Sequence, residues 1–134
     1  MKLRSAAALL VLLAAVGCGG EDEGSFARDY NRAVRPLSQL EEHLGTKPSS
    51  FDRLARRTAL TRRNLAKLHP PNDAQDELDA MLHQLDRVTA DLRRVATTAR
   101  GDDVVKQRRA ARALVRSSNA VQQAETRLKL AVQG

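Results

Sequence analysis

Residues 73–100 read DAQDELDAMLHQLDRVTADLRRVATTAR, and this stretch decides the fold. Its apolar side chains recur every three or four residues, the spacing of one face of an α-helix. They are Ala74, Leu78, Met81, Leu85, Val88, Leu92, Val95 and Ala99. The acidic first turn favours a helix start, with Asn72 or Asp73 as the N-cap. The pattern predicts a helix over about residues 73–100.

Helix breakers divide the chain on both sides of this stretch. They are Gly45 with Pro48, Pro70 with Pro71, and Gly101. The segments between them show helical rather than alternating spacing, which predicts helices over about 25–44, 50–68 and 103–132. The expected core stripe of the helix over 25–44 is Phe26, Tyr30, Ala33, Leu37, Leu40 and Leu44. That of the helix over 50–68 is Phe51, Leu54, Thr58, Thr61, Leu65 and Leu68. That of the helix over 103–132 is Val104, Ala111, Leu114, Ser118, Val121, Leu128 and Val132.

Three local features set the course and the starts of these helices. Pro36 lacks the N–H that would bond to the carbonyl of Arg32, so we expect a kink there or a break at Arg35. Ser49 is the expected N-cap of the helix over 50–68, with Asp52 three residues on. Asp102 and Asp103 open the last helix.

Short connections favour antiparallel neighbours, so the sequence predicts an all-α, antiparallel up-down bundle of about four helices. At 1.5 Å per residue, the last two helices should be about 40–45 Å long and the first two about 30 Å. We therefore expect the shorter pair to leave the far end of the last hairpin uncovered.

Composition excludes several classes of protein. The chain has 134 residues, one Cys, no Trp and three aromatic residues. One Cys allows neither an internal disulfide, a zinc framework nor attached c-type haem. So few aromatics cannot form a base-stacking platform, so no nucleic-acid partner is expected. No catalytic motif occurs, and we expect a non-enzyme that needs no cofactor.

Residues 1–20, MKLRSAAALLVLLAAVGCGG, have the layout of an export signal. Lys2 and Arg4 precede an apolar run from Ala6 to Val16, and small residues follow. The run is shorter than the roughly 20 residues that a spanning helix needs. The lone cysteine, Cys18, stands directly after it.

The segment Ala15-Val16-Gly17-Cys18 resembles the lipobox of bacterial lipoproteins, although Ala15 departs from the leucine that this family prefers. The resemblance implies a signal peptide over 1–17 and a lipidated, palmitate-bearing Cys18 at the extracytoplasmic face of a cell membrane. A diacylglyceryl group carries two chains, which suffices for stable anchoring. We expect a polar tether over 18–24 and a bundle domain over 25–134. The alternative is a soluble secreted protein, since Ala15-Val16-Gly17 also fits ordinary signal cleavage.

Charge is segregated along the chain. Residues 47–69 hold seven basic and one acidic residue, and the first half of the helix over 73–100 is acidic. An antiparallel hairpin should set Arg62, Arg63 and Lys67 beside Asp76, Asp79 and Asp86. At the far end we expect a basic interaction patch, formed by Arg93, Arg94, Arg100, Lys106, Arg108, Arg109 and Arg112. With a lipid on Cys18, this patch would face an anionic envelope polymer or an acidic protein.

Two further features are weaker indications of function. Asp76, Asp79 and His83 share one helix face and are weak metal-ligand candidates, because a bundle metal site needs ligands from several helices. Thr58, Thr61, Ser118 and the Pro36 kink suggest an alternative function as a small-ligand binding or sensing bundle. The first hypothesis remains a tethered structural or interaction module, of the kind seen in small helical lipoproteins without an assigned activity.

Overall fold

The structure, a computed structural model, describes residues 21–38 and 47–134. The described residues form four helices: α1 (Glu21–Ser38), α2 (Pro48–Leu65), α3 (Gln75–Ala99) and α4 (Val104–Gln133). The helices pack in chain order, with α3 between α2 and α4 and α1 against α2. The chain is an all-α, antiparallel helical bundle, as the sequence predicts.

Two ion pairs fix the antiparallel register of α2 and α3. Asp52, near the start of α2, pairs with Arg100 just beyond the end of α3. Arg62, near the end of α2, lies 3.2 Å from Asp86 of α3 (Nε to Oδ1). The other pairings expected along this hairpin, from Arg63 or Lys67 to Asp76 or Asp79, do not occur among the described residues.

The bundle therefore has two ends. The near end holds the start of α1, the connection over 66–74 and the end of α4; Asn72 Nδ2 donates to the Val132 carbonyl there at 2.6 Å. The far end holds the start of α2 and the connection over 100–103, where Gln107 Nε2 donates to the Gly101 carbonyl at 2.8 Å.

The core consists of two apolar clusters. The near cluster joins Phe26 and Tyr30 of α1 to Leu65, to α3 from Ala74 to Leu85, and to α4 from Val121 to Val132. The far cluster joins Ala55, Leu92, Val95, Ala110 and Leu114. Phe51 and Leu54 of α2 pack on the far cluster. The sequence predicts that the two shorter helices leave the far end uncovered, and this is wrong for α2, which covers it. α2 reaches the far end because the connection over 66–74 takes up the difference in length between α2 and α3.

Helix starts differ from the expected ones. The N-cap of α2 is Lys47 rather than Ser49, because Pro48 occupies the first helical turn, where its fixed φ and missing N–H are tolerated. The N-cap of α3 is Ala74 rather than Asn72 or Asp73. Those two residues have φ of 57° and 55° and turn the chain, a conformation that Asn and Asp tolerate. Asp103 does cap α4, accepting from the Lys106 N–H at 3.0 Å.

α1 begins at Glu21, so residues 21–24 of the expected tether are helical. Acidic residues favour a helix start through the helix dipole. A break at Arg35 is wrong, since α1 continues through Pro36 to Ser38. Leu37 is 2% exposed, and its burial offsets the one hydrogen bond that Pro36 removes. The signal segment, Cys18, Leu40 and Leu44 lie outside the described residues.

The expected stripe of α3 is buried from Ala74 to Val95 except for Val88, which is partly buried, and Ala99 is exposed. In α4, Val104 is 54% exposed and is not a core residue, because the far cluster reaches no further along α4 than Ala110. Ala55, Leu82, Ala96, Ala110 and Ala124 are buried in addition to the expected residues.

Candidate functional site

The far end carries the basic residues of the expected patch apart from Arg93, and three of them have acidic neighbours. Arg94 Nη1 lies 3.1 Å from Asp91 Oδ1, and Lys106 Nζ lies 3.9 Å from Asp103 Oδ2. Arg100 pairs with Asp52. These three cations of the patch therefore have a carboxylate partner within the bundle, which reduces the charge they offer to another molecule.

The remaining far-end arginines of the patch, all on α4, have no carboxylate partner among the described residues. Arg108, Arg109 and Arg112 are exposed and make no ion pair with any described residue. Arg116, one turn further and absent from the expected patch, extends the same face. No acidic residue occurs from Val104 to Ala124. The exposed α4 face, defined here as Arg108, Arg109, Arg112 and Arg116, is thus a positive surface without a carboxylate on its own stretch of helix.

Apolar side chains accompany these arginines. Val105 is 66% exposed and Val115 is 41% exposed. Both lie on the same exposed side of α4, since residues three, four, seven and eight apart share a helix face. An arginine surface with exposed valines can contact both charged groups and the carbon skeleton of a partner.

Arg93 lies elsewhere, in a groove along the outer seam of α2 and α3. The groove has a volume of about 490 Å³ and is lined by Arg56, Ala59, Arg62, Arg63, Asp86 and Arg93. The patch expected from the sequence includes Arg93 but neither Arg56 nor Arg63. The signal was present in the seven-residue spacing of Arg56 and Arg63, which places both on one face of α2.

A second cavity, of about 390 Å³, opens at the near end. It is lined by Ser25, Phe26, Asp29, Lys67, Leu68, His69 and Pro71. Neither this cavity nor the groove touches the expected ligand-pocket residues Thr58, Thr61, Ser118 and Pro36.

Those hydroxyl residues form part of a polar layer between the two apolar clusters. Thr58, Thr61, Thr89, Ser117 and Ser118 are all buried, and they come from three helices at the same level of the bundle. Three of them bond to their own helix: Thr58 Oγ1 to the Leu54 carbonyl at 2.8 Å, Thr89 Oγ1 to Leu85 at 2.9 Å and Ser117 Oγ to Leu114 at 3.1 Å. Thr61 Oγ1 has no partner among the described residues.

The weak metal candidates lie exposed on α3. Asp79 Oδ1 accepts from Gln75 Nε2 at 2.9 Å. No group of three or more His, Cys, Asp or Glu side chains within residues 21–38 and 47–134 could hold a metal ion. The three candidates share a helix face, and no described residue of a neighbouring helix completes a ligand set.

One titratable cluster is buried at the near end. Tyr30 Oη donates to Met81 Sδ at 3.6 Å. Burial, together with the nearby carboxylate of Glu125, holds the pKa of Tyr30 well above its usual value. Burial also raises the pKa of Glu125, while Lys129 opposes this shift. The phenol therefore stays protonated in the folded chain.

Comparison with known proteins assigns no family. No protein-family model matches the chain, and no curated protein or solved structure is significantly similar to it. Within the described residues, none of the helices combines the length and the hydropathy needed to cross a membrane.

Proposed function

We propose that this chain is a membrane-tethered extracytoplasmic lipoprotein that acts as a non-catalytic interaction module. Its exposed α4 face would contact an anionic envelope polymer or an acidic protein. The observation that carries the proposal is this face: four exposed arginines, without an ion pair to any described residue, on a helix segment that contains no acid.

The direction of the chain supports this role. Cys18 lies three residues before Glu21, where α1 begins at the near end. A lipid on Cys18 would therefore hold the near end towards the membrane. The exposed α4 face starts at the far end, so its arginines would point away from the bilayer and towards other components of the envelope.

Arginine chemistry supports the anionic nature of the partner. A guanidinium presents a planar fork that fits carboxylate and phosphate oxygens. Exposed charges within about 8–10 Å of each other act together at physiological salt. On α4, Arg108 and Arg112, and likewise Arg112 and Arg116, are one turn or about 6 Å apart along the axis, so each arginine is within that range of the next.

The anchor is tested by labelling with a palmitate analogue. We expect the full chain to carry the label and to sediment with membranes, and Cys18→Ala to lose both properties together. Unlabelled wild-type chain in the medium would contradict the anchor and would leave the secreted alternative.

The exposed α4 face is tested on an immobilised polyanion across salt concentrations. Replacing Arg108, Arg109 and Arg112 with Gln should lower the salt concentration needed for elution. The matched control replaces Arg28, Arg32 and Arg127, which are also exposed, and removes the same net charge. Equal retention of the two triple variants would show that total charge, not this face, determines binding.

A small-ligand bundle is the competing function, and the unpartnered hydroxyl of Thr61 favours it. A ligand that enters the polar layer would stabilise the chain by mass action, which a thermal-shift screen of small molecules would detect. If the chain acts through the exposed α4 face instead, uncharged compounds should not shift its melting temperature.

A further inference from the structure

The groove between α2 and α3 contains one of the two ion pairs of the seam. Arg62 and Asp86 line it, whereas Asp52 and Arg100 do not. Asp86 is the only carboxylate among the six residues that line it. The lining spans residues 56–63 of α2 and 86–93 of α3, which is about two helical turns.

The charges inside the groove are not balanced. Four arginines line it, and Asp86 compensates only Arg62, at 3.2 Å. Arg56, Arg63 and Arg93 make no ion pair with any described residue. Arg62 is half-buried, and its Nε makes no aligned hydrogen bond with a described residue, although Asp86 is close. The lining thus presents uncompensated positive charge.

The floor of the groove leaves room for a ligand. Ala59 stands between Arg56 and Arg63 on α2, and its methyl group is the smallest side chain of the lining. A volume of about 490 Å³ is within the range of clefts that bind small ligands. Guanidinium groups on two helices can then approach one anion from opposite sides.

We propose that this groove is a binding site for a multiply charged oxyanion, with a phosphoryl group as the chemistry that fits best. Arg56 and Arg63 of α2 and Arg93 of α3 bind the oxygens through charge-assisted forks. The site is separate from the exposed α4 face and does not depend on the anchor. The anion relieves the repulsion between arginines that the bundle itself leaves uncompensated.

The probe is inorganic pyrophosphate, measured by calorimetry and by thermal shift with the full chain at constant ionic strength. The sharpest variant is Ala59→Glu, which places a carboxylate between Arg56 and Arg63 at helical spacings of three and four residues. Its matched control is Ala59→Gln, which has the same shape without the charge. We expect Ala59→Glu to raise the melting temperature without pyrophosphate and to bind pyrophosphate at least about tenfold more weakly than Ala59→Gln.

A second pair of variants tests the arginines directly. Replacing Arg56 and Arg63 with Gln should weaken pyrophosphate binding at least about tenfold, because each removes charge-assisted hydrogen bonds. The control replaces Arg53 and Arg87, exposed arginines that do not line the groove, and should retain binding within about twofold.

Several outcomes would overturn the proposal. They are pyrophosphate binding no tighter than chloride binding in the wild type, equal loss of binding in the two double variants, and binding of long-chain polyphosphate only. The last result would indicate a diffuse electrostatic field and a polymer as the source of phosphate. The variant lacking Arg108, Arg109 and Arg112 should keep wild-type pyrophosphate binding, which separates this proposal from the function of the exposed α4 face.

Discussion

At the residue scale, the buried hydroxyls show how similar side chains differ in energy. Thr58 and Thr61 are one turn apart on α2, and both are at most 1% exposed. Thr58 donates to the Leu54 carbonyl, whereas Thr61 Oγ1 has no partner within residues 21–38 and 47–134. A buried polar group without a hydrogen bond costs about 1–3 kcal/mol.

Thr61→Val should therefore stabilise the fold, by about 1 kcal/mol, because it removes an unpaired hydroxyl with little change of shape. Thr58→Val, which removes a paired hydroxyl from the same helix, is the control and should gain less. Chemical denaturation measures both changes. A loss of stability in Thr61→Val would mean that water or a ligand satisfies this hydroxyl.

At the element scale, the connection over 66–74 positions α3 against α4. Asn72 and Asp73 both adopt left-handed backbone conformations, with φ of 57° and 55°. Only Asn72 also holds the end of α4, through its hydrogen bond to the Val132 carbonyl at 2.6 Å. The connection thus combines a backbone requirement shared by two residues with a side-chain contact specific to one.

Replacing each residue with Gly separates these two effects. Asp73→Gly should leave stability unchanged or raise it slightly, since Gly adopts positive φ without strain. Asn72→Gly should lower the free energy of unfolding by about 1 kcal/mol, because the hydrogen bond to α4 is lost. Denaturant unfolding of the two variants measures the difference. Equal stabilities would show that the Asn72 contact contributes nothing.

At the scale of the whole molecule, Tyr30 joins three helices. It lies on α1, donates to Met81 of α3 and is close enough to Glu125 of α4 for that carboxylate to raise its pKa. Burial makes the larger contribution to this shift. Because Tyr30 is the only tyrosine in the chain, its ionisation reports on the near cluster as a whole.

Alkaline titration should therefore unfold the bundle and ionise Tyr30 in one step. The pKa of Tyr30 is higher in the folded chain than in the unfolded chain, where it is about 10. This difference stabilises the fold below about pH 10, and the contribution is lost as the pH rises through the folded-state pKa. Phenolate absorbance should rise only when helical circular dichroism falls. Tyr30→Phe, the control, should extend the folded range to higher pH. Phenolate formation in a fully helical chain would contradict the buried position of Tyr30.

Much of the fold follows from local patterns. The stripe of α3 and the Asp103 cap could be predicted because helical periodicity and capping depend on neighbouring residues only. The caps of α2 and α3 could not. Pro48 starts α2 ahead of Ser49, and Asn72 and Asp73 take left-handed backbone conformations that turn the chain before α3 begins. The α4 arginines of the candidate site were predictable in the same local way.

The sequence by itself determined the four helices, their antiparallel order and the excess of arginine at one end, because each depends on spacing along one segment. Only the tertiary structure decided which arginines are compensated. Arg100 and Asp52 are distant in sequence but paired across the seam, whereas Arg56, Arg63 and Arg93 share a groove without such a partner among the described residues. The physical reason is that an ion pair requires approach within about 4 Å, which depends on the register between helices.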